Sequence, residues 1–293
     1  MYNFTLANFY NGYIINNMFQ RYVKQFPERI KDEKIYFNQI AGSFPCSTWN
    51  GDINSCSFGN IAMADDIKGC FSKCETVLRL NFSSVTLEPE EFENNYNRIM
   101  LESGDCGSTA IEISNLQLYE YIKKNYPTYS KFILSANAWE ITDLSAEMLN
   151  VILDKDDFQL VTLPTKYAHD NDYISQIAHK NKIEICINPL CPPKCPNYRA
   201  CLIKENSNQL EFSQESIFLD CRKILPYHRN KNIMNLDELK KEYLPKGITH
   251  FRLSTCPSHQ LVEYLLFLAH YFIKEEFQQE FIEEGFIQIH QMR

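Results

Sequence analysis

The residues of this chain best suited to chemistry are cysteines. Cys186, Cys191, Cys195 and Cys201 fall in one run, ICINPLCPPKCPNYRAC, whose gaps carry several prolines. Thiolates gathered at short spacing on a stiff loop are what a soft-metal site requires. Proline fixes φ, so the loop from Pro189 to Pro196 loses little entropy on closing around an ion. Cys191 and Cys195 are the expected ligands. Cys201 and, from a distant loop, Cys256 complete the expected set, with Cys46 and Cys186 as alternatives for the fourth position. The competing reading is burial, because free cysteine is a common core residue. Cys186 lies inside a strand pattern, and Cys70 and Cys74, one helical turn apart, read as packing. A disulfide framework is not expected. The first residues show no basic stretch followed by an apolar one, the chain is long enough to fold without staples, and 11 cysteines leave at least one unpaired.

A second set of chemically competent residues is written into strand-like segments. Successive side chains of a strand point to opposite faces. His250, Arg252, Ser254 and Cys256 therefore share one face, while Phe251 and Leu253 take the other. The same parity sets Glu184, Cys186 and Asn188 against three isoleucines, Glu112 and Ser114 against Ile111 and Ile113, and Arg79 and Asn81 against Leu78 and Leu80. Ser135 and Asn137 oppose Phe132 and Leu134. In a closed barrel the apolar set faces the surrounding helices and the polar set faces inward. Buried charges must then be paired, and Glu184 with Arg252, and Arg79 with Glu112, are the expected partners. Such pairs either specify the fold or floor a polar cavity. In the second case His250, Arg252, Asn188 and Asn137 are the expected substrate contacts. Glu140 and His169, at strand ends, are the expected acid–base groups beside Arg252.

The elements that must position these groups alternate. Strand-like runs occur at 34–40, 77–84, 109–114, 131–137, 158–163, 182–188, 216–221 and 247–254, mostly separated by helical patterns. Eight such units predict an α/β fold, a single (β/α)8 TIM-type barrel. It is expected over 34–293 and ends in a C-terminal helix, with 1–33 a helical lead-in. An open doubly wound sheet would bring a Gly-rich phosphate turn, and neither GxGxxG nor GxxxxGK[ST] is present. A length of 293 residues with 44% apolar content suits one large α/β barrel or two ordinary domains. A net charge of −8 argues against a general nucleic-acid binder. The longest apolar run, 261–273, carries Glu263 and is too short to span a membrane. A reducing cytoplasm is the expected setting.

The segment INPLCPPKCPNYRAC and the closing LPKGITHFRLSTCPSHQLVEYLLFLAHYF resemble the collagenase-like peptidase superfamily, which includes anaerobic ubiquinone-biosynthesis hydroxylases and RNA hydroxylation proteins. The resemblance covers less than a third of the chain. It implies a (β/α)8-type barrel, a [4Fe–4S] cluster on cysteines, and oxygen-independent hydroxylation or related redox chemistry on a small-molecule or peptide-linked anionic substrate. An electron donor or other protein partner belongs to that reading. Cluster binding carries over onto Cys191 and Cys195, and then onto Cys201 and Cys256. The family's peptidase signature of Glu, His-Gly and Ser-Gly-Arg-Cys is absent, and Leu253-Ser254-Thr255 stands where its closing strand has Glu-Gly-Arg. The cysteine spacing also departs from CxxxCxxC. The alternatives are a zinc-binding hydrolase of peptidase-like type and a non-catalytic barrel subunit that pairs with another barrel.

Overall fold

The computed structural model describes residues 1–10, 12–44, 47–51, 61–73, 76–104, 107–211, 232–256 and 260–290. Eight strands close into a barrel in which every neighbouring pair is parallel: β1 Tyr2–Leu6, β2 Ile35–Gly42, β3 Val77–Phe82, β4 Thr109–Ile113, β5 Phe132–Leu134, β6 Leu160–Leu163, β7 Ile183–Cys186 and β8 His250–Arg252. Helices fill most of the crossovers. This is the (β/α)8 barrel that the alternating pattern predicts.

Two expectations change. The segment 1–33 is not purely a helical lead-in. Tyr2–Leu6 is the first barrel strand, and the helix Tyr13–Gln25 follows it. Tyr2, Phe4 and Leu6 alternate with Asn3 and Thr5, the expected pattern for a strand between a polar interior and apolar helices. The pattern is five residues long and runs into a strong helical periodicity, which hides it. The run 216–221 lies outside the described residues. The barrel closes without it, because β7 pairs directly with β8 and β8 with β1.

The outward faces are apolar as the parity requires. Phe4 on β1 and Phe37 on β2 pack on Phe272 of the helix Leu261–Phe272, with ring centroids 5.0 and 4.9 Å from it, and Phe251 on β8 joins the cluster through Phe4 at 5.6 Å. Phe19 of the first helix joins them and also touches Phe281 of the last helix, Glu275–His290. The first and last helices are thereby sealed onto the same strands. Caps work where the sequence places them. Asn115 accepts from the backbone N–H groups of Gln117 and Leu118, and Asn235 from that of Glu238. Gly247, at φ 85°, takes the left-handed conformation that turns the chain into β8, which a side chain would disfavour.

Because Phe272 joins β1, β2 and the first helix in one aromatic cluster, Phe272→Ala is expected to destabilise the fold by about 3–5 kcal/mol. Urea unfolding measures this; a change below about 1 kcal/mol would show that the cluster collapses around the deletion.

Candidate functional site at the barrel mouth

The inward faces meet in a four-ion network. Arg79 Nη1 donates to both carboxylate oxygens of Glu184 at 2.8 Å, and its Nη2 donates to Thr162 Oγ1 at 2.9 Å. Arg79 Nε lies 3.0 Å from Glu112 Oε2, and Arg252 Nη1 reaches the other Glu112 oxygen at 2.6 Å. Glu184 also accepts from the hydroxyls of Thr5 and Thr162 at 2.8 and 2.7 Å. All four charged side chains are buried. The sequence-based pairing of Arg79 with Glu112 holds, and Arg252 joins the same carboxylate; the direct partner of Glu184 is Arg79. Thr5 and Thr162 carry no such signal in the sequence, because a threonine in a strand is ordinary. Burial alone would raise the pKa of Glu184. Arg79, Arg252 and the two hydroxyls outweigh it and bring the carboxyl from 4.5 down to about 2.

Above this network, at the C-terminal ends of the strands, lies a cavity of about 130 Å³. Glu112 and Arg252 line it, together with Ser135, Asn137, Cys186 and Ser254 from the strand ends. The loop Pro189–Cys191 and the helix Tyr198–Glu211 form its other wall through Cys191, Tyr198 and Glu205. That helix is held over the mouth by polar ties: Tyr198 Oη donates to Asn137 Oδ1 at 3.2 Å, and Asn206 Oδ1 accepts from the Val85 N–H at 2.7 Å. Gly51 passes so close to the Ser83 carbonyl that a Cβ would lie 2.0 Å from its oxygen, so only glycine suits this part of the rim.

The structure brings together only some of the expected site residues. Arg252 is on the cavity floor. Asn137 lines the cavity but acts as a strut, its Nδ2 donating to the Ser83 carbonyl at 3.1 Å. Asn188 is a tie between β7 and β8, its Oδ1 accepting from the Ser254 N–H at 2.8 Å, and it does not line the cavity. His250 is in register with Glu184 and Asn3, toward the N-terminal side of Arg252 and away from the mouth. Burial depresses its pKa, an effect opposed by Glu184 and reinforced by Arg79, so the ring is held toward the neutral form. Glu140 lines an adjoining cavity instead of the mouth. His169 is exposed, lines neither cavity, and approaches the Tyr243 hydroxyl at 3.4 Å, because the short helix Thr165–Ala168 carries it away from the axis.

The cysteines disperse. Cys191 lines both cavities and Cys195 only the adjoining one. Cys201 is buried and lines neither. Cys256 is also buried; its thiol donates to the Gln260 carbonyl at 3.2 Å, and burial raises its pKa well above the usual thiol range. Among the described residues no group of three or more His, Cys, Asp or Glu side chains is gathered to hold a metal ion. The expected set of Cys191, Cys195, Cys201 and Cys256 is thus not gathered around one point among the described residues, and Cys46 lies outside them. No helix of the described residues is long and apolar enough to cross a membrane.

Fold and site define a (β/α)8 barrel with a polar cavity at the C-terminal mouth. No family model and no curated protein matches the chain. Among solved structures, that of the U32 peptidase Mk0906 is similar over 87% of this chain and 94% of that one, at 12% identity and a TM-score of 0.49.

The depressed pKa of Glu184 gives a pH signature. The unfolded carboxyl takes up its proton near 4.5, the folded one only near 2, so the contribution is present above 4.5 and is lost as pH falls through that window. Glu184→Gln should cost on the order of 3 kcal/mol at neutral pH and flatten the acid side of the stability curve. An unchanged slope between pH 4.5 and 2 in chemical denaturation would show that Glu184 is not ionised in the fold.

Proposed function

We propose that this protein is an enzyme that acts on a small polar substrate, bound by a carboxylate or similar anionic group in the mouth cavity. One observation carries this reading: Glu112 and Arg252 belong at once to the buried network and to the cavity lining. A barrel filled only for packing is lined by branched apolar residues, and well-packed apolar side chains are often at least as stabilising as buried ion pairs. Charges kept beneath an opening are better explained by a ligand. Arg252 presents a planar guanidinium, suited to an anionic group in a way that a point charge is not. Glu112 holds that guanidinium in place. Ser135 and Ser254 supply hydroxyls on the wall, and the thiols of Cys186 and Cys191 and the Glu112 carboxylate are the groups at hand for a chemical step. The iron–sulfur chemistry expected from the sequence is not part of this proposal, because its ligand set does not assemble.

The test is a thermal-shift screen of small carboxylates, followed by the Arg252→Lys variant. The charge toward Glu112 is kept while the fork is lost, so the melting temperature without ligand should move by only a few degrees, and affinity for the carboxylate should fall by about tenfold. A variant that loses stability yet binds the carboxylate as before would make Arg252 a purely structural ion and refute the proposal.

A further inference from the structure

A second cavity, of about 440 Å³, adjoins the mouth and shares Thr165, Cys191 and Tyr198 with it. Its walls are the segment after β5, the turn after β6, the proline loop after β7 and the start of the helix Tyr198–Glu211. They carry Lys166, Lys194 and Arg199 against a single carboxylate, Glu140. Three cations and one anion leave a local charge of +2 on a chain whose net charge is −8. The sign of the protein is inverted at this cavity. Lys166 Nζ rests 4.7 Å from the Tyr167 ring centroid, and among the described residues none of the three cations is committed to an ion pair.

The frame around them is stiff. Pro164, Pro192, Pro193 and Pro196 line the cavity, and the loop is pinned by a turn in which the Cys195 N–H donates to the Pro192 carbonyl at 3.1 Å. Tyr198 and Arg199, which also line it, open the 14-residue helix Tyr198–Glu211, so the positive end of that helix adds to the field of the side chains.

We infer that this antechamber binds a phosphate group. It would be carried by the substrate whose polar body occupies the mouth, so the inference builds on the mouth reading. A carboxylate is matched by one cation, whereas a dianionic phosphate matches the local excess of two and has oxygens enough for all three donors. Lys166 comes from the short helix after β6, Lys194 from the proline loop after β7 and Arg199 from the first turn of the helix Tyr198–Glu211, so an anion between them would be held from three segments.

The probes are inorganic phosphate and pyrophosphate, titrated calorimetrically into the full chain at low ionic strength, where exposed cations are least screened. Binding is expected. It should weaken about threefold or more in Lys166→Gln, and about tenfold or more in the Lys194→Gln, Arg199→Gln double variant. These side chains are exposed, so the fold should survive, which the melting temperature checks. Lys124→Gln, a distant exposed lysine, and Arg252→Lys should leave phosphate binding unchanged. Absence of binding overturns the inference, as does equal weakening by Lys124→Gln, which would mean diffuse attraction. Loss in Arg252→Lys with the three antechamber cations immaterial would place the phosphate in the mouth. That would overturn the subsite while leaving the mouth as a binding site.

Discussion

The pairing of two guanidinium groups with two carboxylates on the barrel axis is the constraint on which the rest of the structure depends. Arg79 touches both Glu112 and Glu184, and Arg252 completes the chain through Glu112. Each charge would be costly to bury alone. A shift of one residue in the pairing of β3, β4, β7 or β8 would turn a charged side chain into the helical layer and an Ile, Leu or Phe into the polar axis. The network therefore selects the register of four strands, and Thr5 and Thr162 extend that selection to β1 and β6. The aromatic cluster around Phe272 enforces the same register from outside, since it needs Phe4, Phe37 and Phe251 turned outward.

What opens to ligand follows from where this network stops. Toward the N-terminal end of the barrel, apolar residues fill the interior beside it, with Ala110, Ile133 and Leu160 packed together. Toward the C-terminal end Glu112 and Arg252 open onto the mouth cavity, and the cover is supplied from outside the barrel by the helix Tyr198–Glu211 and the proline loop before it. The loop thus has two faces. Cys191 looks into both cavities, while the cations lie on the outer one. Polar ties such as Tyr198 to Asn137 help to hold the cover in place, beside the buried Leu202.

Much of this was legible in the chain. Strict alternation in 109–114 and 182–188 gives both the strands and the side of each residue, because the period of a strand is two and the helical layer accepts only the apolar set. The polar lining and its internal ion pairing follow from that parity. Less legible were elements whose signal is short or shared. β1 is five residues beside a helix of stronger periodicity. The helix over the mouth was hard to foresee because its sequence, YRACLIKENSNQLE, has little amphipathic contrast.

The cysteines mark the boundary between the two kinds of knowledge. Their clustering in sequence is a fact about loop length and proline content, and it led to the expectation of a shared metal. Whether thiols from separate loops meet depends on distances that only the closed barrel sets. There Cys256 turns to the Gln260 carbonyl and Cys201 sinks into the protein interior, while Cys191 and Cys195 stay at the cavities. By itself the sequence determined the barrel, the facing of its strands and the need to pair its interior charges, because these follow from local periodicity and the cost of burying charge. Tertiary structure alone decided that Arg252 and Glu112 lie beneath an opening, that His250 and His169 do not, and that Lys166, Lys194 and Arg199 from separate segments line one cavity, because such convergence depends on how distant segments close around the axis.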